Sequence, residues 1–348
     1  MTRGVDQRVA DVRRLLGAAR AVYDDRARLV PAIAASTGLS PEGVLLGFGC
    51  LEQDASDADL QALVGLAGRT RRVHVVLSAN VFVAPLRALA LARAAAEEVT
   101  IRPSPRDPTL TEALARAAAD PAIRIVDDRD IARVEAGEIH IYGRSEVVDA
   151  VRKAARPGVV VRGHGTGMGV AVVTCAADVR EAARAIADDV VLFDQRGCLS
   201  PRVALVEGRP DRAESLARAL DEVLEALGER VGRGALSPAE RQESIRWTDT
   251  LAFAGGAWSG AHHVVALGTP SSPLLLPPPG RHVLVAAVAS LGEAAARIAP
   301  FARYVVAIGS DEAARMGPIA PPHARLSPLG RMQHPAFDGP VDRRDALA

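Results

Sequence analysis

The sequence is poor in the features that sort a chain quickly. Three cysteines, Cys50, Cys175 and Cys198, are an odd number, unclustered and without a CxxC pair. That excludes a disulfide framework and a clustered zinc site, and makes a reducing cytoplasm the expected compartment. Net charge is absent too: 42 Lys plus Arg balance 42 Asp plus Glu. No global field therefore draws the chain to nucleic acid or to an anionic membrane. The N-terminus, MTRGVDQRVADVRRLLGAAR, is amphipathic and lacks the uninterrupted apolar core of a signal peptide. No apolar run reaches transmembrane length. There is no solenoid-period repeat and no Walker-type phosphate loop. Nearly all the cations are arginine, which together with the abundant alanine reads as the codon bias of a GC-rich genome.

What is present is a globular balance, 49% apolar and 24% charged, in a chain of 348 residues, enough for two domains. Helical spacing covers residues 5–37, and Ser40-Pro41-Glu42 reads as a capped helix start. A helix is expected over 56–67, a buried strand over 73–79 and an alanine-rich helix over 85–96. Strands at 99–104, 122–127, 138–143 and 158–163 then alternate with helices at 109–119 and 145–155. This alternation predicts a parallel, doubly wound sheet, whose ligands sit at the carboxyl ends of the strands. Asn80, Arg102, Gly143 and Gly163 lie at such ends. A second unit follows, with a strand at 170–174, a helix at 178–187, a strand-like run at 190–193, a strand at 203–206 and a helix at 212–227. Residues 234–260 look irregular, and HHVVAL, PLLLPPPG, HVLVAAV and RYVVAIG suggest strands. A helix is expected at 291–299, and the Pro/Gly-rich tail reads as ordered loop.

Four places carry chemistry. Cys198 stands in a turn between two apolar runs, where a nucleophile would be exposed, although a buried thiol is the commoner fate of a lone cysteine. Gly143-Arg144-Ser145-Glu146 ends a strand and opens a helix, whose free N–H groups can hold a phosphate. Arg102 and Arg106 flank Pro103-Ser104-Pro105 in a small basic loop. GHGTGMG, Gly163–Gly169, leads into a strand rather than a helix, so it reads as tight backbone passage between domains and not as a Rossmann loop. His164 lies beside it. His262 and His263 point to opposite faces of a strand and are structural. An apolar substrate tunnel is expected from residues 245–260, with Trp247, Phe253 and Trp258.

Collinear, these residues resemble the aldehyde dehydrogenase superfamily from about residue 70 to the end, and within it the acyl-CoA reductase branch that includes the fatty-acyl-CoA reductases of bacterial bioluminescence. Asn80, followed by a proline and a long helix, resembles the oxyanion asparagine. Arg102-Pro103-Ser104 resembles the Lys-Pro-Ser cofactor loop, Gly143–Glu146 the helix cap and Gly163-His164-Gly165 the Glu-Leu-Gly-Gly segment. Asp194-Gln195-Arg196-Gly197-Cys198 resembles the nucleophile loop. The Asp-Gln lead-in and the ending Phe337–Arg344 favour the acyl-CoA reductase branch.

The resemblance implies two doubly wound, mostly parallel α/β domains with the active site between them: 1–169 binding NAD(P), 170–327 carrying the nucleophile, and 328–348 an extended tail. It implies Cys198, Asn80 and His164 as catalytic residues, and Arg102, Ser104, Arg106, Gly143, Ser145 and Gly165 as cofactor-binding. It also implies no metal, and a homo-oligomer. Arg162 replaces the glutamate that activates water in hydrolytic members, so an acyl-enzyme would meet a thiol or a reductant instead. Pro105 replaces the ribose-binding glutamate, and with Arg106 beside it the loop favours NADPH over NADH. The expected reaction reduces an acyl-CoA, fatty acyl in particular, to the aldehyde. An acyl-phosphate reductase of the glutamyl-phosphate type and a catalytically silent binding subunit are the alternatives.

Overall fold

The computed structural model describes residues 3–127, 130–269 and 272–345, so the last three residues of the expected tail lie outside them. Four helices open the chain: α1 (Val5–Asp24), α2 (Arg26–Thr37), α3 (Pro41–Phe48) and α4 (Asp57–Leu66). Then come β1 (Thr70–Val76), α5 (Ala84–Ala95), β2 (Ala96–Arg102), α6 (Thr109–Ala118), β3 (Ile123–Ile125), β4 (Glu138–Tyr142), α7 (Ser145–Ala154) and β5 (Val160–His164). The second half runs β6 (Met168–Val173), α8 (Val179–Val191), β7 (Pro201–Glu207), α9 (Pro210–Arg230), α10 (Pro238–Ala254), β8 (Ala257–Ser259) and β9 (Val264–Leu267). It ends with β10 (His282–Val288), α11 (Leu291–Ile298), β11 (Val305–Ser310) and β12 (Arg325–Pro328). Two compact units result: the chain up to Thr37 with Gly47–Thr166 and the residues from Ala336 on, and Gly38–Leu46 with Gly167–Pro335.

The first unit holds a five-stranded sheet, order β3-β2-β1-β4-β5, parallel throughout. Val73 to Val76 of β1 are buried in succession, as expected for a strand covered on both faces. Helix α5 is apolar almost all round and is buried all round. Its two arginines survive burial because they are paired. Arg93 meets Asp120 at 2.8 Å and Asp11 at 3.1 Å, and Arg87 donates to the carbonyls of Ala336 and Gly339. Arg8 of α1 binds the carbonyls of Val64, Gly68 and Ala94, closing the C-terminal ends of α4 and α5.

The second unit holds seven strands, order β12-β11-β6-β7-β10-β9-β8, parallel except for the β8–β9 pair. Along β7 the period of two divides the core. Ala204 and Val206 pack with Ile186 of α8 and Leu216 of α9, while Val203 and Leu205 pack with Trp247 of α10 and Ile298 of α11.

Four expectations need correction. Val190–Phe193 is not a strand: Val190 and Val191 end α8, whose start is held by the Asp178 carboxylate on the N–H groups of Arg180 and Glu181. Residues 238–254 form α10, opened by a capping box between Ser237 and Glu240 with Pro238 at the first turn. That signal was readable, but polar residues spread around the helix hid its period. PLLLPPPG is coil, since its prolines cannot donate to a sheet ladder. Within the Pro/Gly-rich stretch from Pro318, expected to be loop, Arg325–Pro328 pairs with β11 as an edge strand. Among the described residues no single helix is long and apolar enough to cross a membrane.

Candidate active site

In the first unit the strand order gathers expected catalytic and cofactor residues on one edge. Asn80 follows β1 and is exposed, Arg102 ends β2, Gly143 follows β4 and His164 ends β5. These four strands are neighbours, and the connections diverge between β1 and β4. That is the switch point at which open α/β sheets bind ligands. Beyond β2, Ser104 and Asp107 close a tight turn through Asp107 N–H to Ser104 O at 3.1 Å. Ser104 is buried, whereas Pro105 and Arg106 are exposed. The Asp107 carboxylate turns inward to accept from Ser36 Oγ at 3.0 Å, and burial pushes its pKa up.

Ser145 is the first residue of α7 and not its cap, which is the backbone of Arg144. Ser145 and Thr166 form a reciprocal pair: Thr166 N–H donates to Ser145 Oγ, and Ser145 N–H to Thr166 Oγ1. Gly165 lies against the same serine. His164 stacks on Tyr142 at 4.2 Å, and burial lowers its pKa to about 4, so it is neutral near pH 7. The C-terminal tail belongs to this edge, which the sequence did not indicate. Asp345 accepts from Gly163 N–H at 2.7 Å, and Arg344 donates to the carbonyls of Gly165 and Thr166. Arg162, at the position expected for a hydrolytic base, is paired through Nε with Glu138 at 2.5 Å. Burial would raise Glu138, but hydrogen bonds from His140 and Arg162 outweigh it and hold the carboxylate at about 2.

Cys198 belongs to the second unit and stands half-buried on the turn before β7, at the amino edge of that sheet. The backbone leading to it is strained: Phe193, Asp194 and Gln195 have φ of 55°, 49° and 61°. Each non-glycine residue in that region costs roughly 1–2 kcal/mol. Buried polar contacts hold it there. The Asp194 carboxylate accepts from Arg281 at 2.7 and 2.9 Å and from Gly234 N–H at 2.9 Å. Gln195 acts as a rung between β7 and β10, donating to the carbonyls of Pro201 and His282 and accepting from His282 N–H. The Asp-Gln lead-in is therefore the anchor of the turn.

The glycine run explains itself from the same turn. A Cβ at Gly169 would come 2.2 Å from Leu199 O, and one at Gly167 would lie 3.3 Å from Cys198 Cβ and 2.3 Å from Val306. Glycine there lets β6 lie against the cysteine turn. The expected tunnel aromatics do not converge. Trp247 is buried and donates to Leu275 O, Phe253 is 96% exposed, and Trp258 packs in the opposite core beneath Arg218. His263 is buried on Asp221, and His262 accepts from Arg233 N–H. Among the described residues no metal-binding cluster occurs.

The acyl-CoA reductase (LuxC) family model matches residues 65–335, from before β1 to the segment after β12. The chain belongs to the LuxC family. Membership makes it an oxidoreductase acting on acyl groups. Among curated proteins, none matches it. Solved structures share the fold of this LuxC-family chain. A benzaldehyde dehydrogenase from Corynebacterium glutamicum is 16% identical with a TM-score of 0.71, covering 93% of this chain and 80% of its own. PnpE of Pseudomonas sp. WBC-3, in complex with nicotinamide adenine dinucleotide, is 15% identical at 0.67, with 93% and 77% covered. An NADP-dependent glyceraldehyde-3-phosphate dehydrogenase from Bacillus halodurans C-125, complexed with NADP, is 14% identical at 0.64, with 94% and 79% covered.

Two outcomes are expected. Asp194→Ala leaves Arg281 buried and unpaired, and should lower the unfolding free energy by about 3–5 kcal/mol in a urea titration. The double variant with Arg281→Met should recover part of that loss. Burial, reinforced by Arg233, lowers His282 to about 4, while the unfolded chain titrates near 6.5. Between these values the folded state binds fewer protons, so stability is lost as pH falls through 6.5 towards 4. Melting from pH 7.5 to 5 should show this decline, shallower in His282→Asn.

Proposed function

We propose that the protein reduces an acyl-CoA to its aldehyde with NADPH through a thioester on Cys198. The observation that carries this is the cysteine turn, a strained segment locked by a buried ion pair and a three-bond glutamine, which suits a nucleophile kept at one position. The Cys198 thiolate attacks the thioester carbonyl, its own N–H and the Asn80 amide are the assigned oxyanion donors, and the CoA thiolate leaves. When bound, NADPH supplies the hydride that turns the acyl-enzyme into a hemithioacetal. Collapse of that adduct releases the aldehyde and returns the Cys198 thiolate. Neutral His164, at the end of β5, is assigned as the candidate proton-exchanging group.

Two features favour reduction and NADPH. The base position is a cation, Arg162, already paired with Glu138, so this strand offers no carboxylate to activate water. Around Ser104 the loop presents Arg102 and Arg106, while the Asp107 carboxylate is turned to Ser36. The residues present therefore fit a 2′-phosphate better than a bare ribose diol, with Arg102, Ser104, Arg106, Gly143, Ser145 and Gly165 as the cofactor set.

Intact-protein mass spectrometry after incubation with a panel of acyl-CoAs and acyl phosphates tests the reading. An acyl adduct from acyl-CoA that maps to Cys198, absent in Cys198→Ala along with aldehyde formation while NADPH binding persists, is expected. Full turnover by Cys198→Ala overturns it. Arg106→Ala should raise the KM for NADPH about tenfold, the kinetic size of one charge-assisted hydrogen bond, and leave that for NADH unchanged.

A further inference from the structure

We infer that Gln333 is a positioning residue for the nucleophile, acting through Ser200; this rests on the reading of Cys198 given above. The turn is anchored upstream by Asp194 and Gln195, and its downstream end needs an anchor of its own. Ser200, two residues after Cys198, is fully buried, and its N–H closes the turn on Gly197 O at 3.2 Å. Its carbonyl accepts from Gly169 N–H at 2.9 Å. Its hydroxyl accepts from Gln333 Nε2 at 3.0 Å.

Gln333 in turn is built in. It lies on a strap, residues 329–335, that closes the second unit. The Asp189 carboxylate, buried at the end of α8, accepts from the N–H groups of Gly330 at 2.8 Å, Met332 at 2.9 Å and Gln333 at 3.4 Å. Gln333 Nε2 also reaches Asp189 O at 3.4 Å. Met332 fills the space over two glycines: a Cβ at Gly169 would lie 2.7 Å from its Cε, and one at Gly309 2.5 Å from its Sδ. One amide group thus ties the helix leading into the cysteine turn to the residue leaving it. Because Ser200 and Gln333 lie 133 residues apart, the strap can serve no local turn there; it fixes where the turn ends.

The test compares wild type with Gln333→Met, Ser200→Ala and the double variant. Acylation of Cys198 by acyl-CoA is followed by mass spectrometry, and alkylation of Cys198 by iodoacetamide by peptide mapping. Gln333→Met should lower the limiting acylation rate about tenfold, the kinetic size of one buried hydrogen bond, with half-saturation by acyl-CoA unchanged within a factor of about two. Alkylation of Cys198 should rise several-fold as the turn loosens. Ser200→Ala, which removes only the hydroxyl and keeps the fold, should behave alike, and the double variant should lose no more than the worse single one. Wild-type rates of both reactions in Ser200→Ala and Gln333→Met, or losses that multiply in the double variant, overturn the inference. Absence of acylation in the wild type would sink the proposed reaction, and the alkylation comparison would still decide the role of Gln333.

Discussion

The buried contact between Asp194 and Arg281 is the constraint on which the second unit turns. It holds a run of three left-handed residues that no local preference would select. Arg281 is itself at φ 65° and nearly inaccessible, and spends its remaining donors on the carbonyls of Val231 and Gly232. The pair therefore joins the end of α9, the start of β10 and the segment before Cys198. Gln195 adds a polar rung between β7 and β10. Such a network rigidifies only when every member is satisfied, which is why truncating one partner is so costly.

Arginine does this work throughout the molecule. Arg3, Arg8, Arg212 and Arg344 each donate to two or more backbone carbonyls next to element ends, and Arg87 to two in the tail. A planar fork with five donors suits that role better than an ammonium point charge. The composition suggests only codon bias; in the fold the bias is put to structural use. Arg162 shows the same residue type paired with a carboxylate instead, its Nε on Glu138.

Much was legible in one dimension. The alternation of apolar strands and helices gave the doubly wound sheets, and local cues such as Ser56 and Asp178 marked helix starts. Asn80, Arg102, Gly143 and Gly163 were placed at strand ends, and the sheet order then made those ends neighbours. Where the reading failed, at Val190–Phe193 and in α10, apolar runs of four residues and a helix polar on most sides lacked a decisive period.

By itself, the sequence determined most of the elements, the family pattern and Cys198 as the candidate nucleophile, because these rest on residue type and short spacing. Tertiary structure alone decided what holds that cysteine. Arg281 and Gln333 lie 87 and 133 residues from the groups they bind, and the tail reaches back from Arg344 to Gly165. Contacts at such separations leave no periodic trace in the chain. They exist only after parallel strands distant in sequence have been laid side by side.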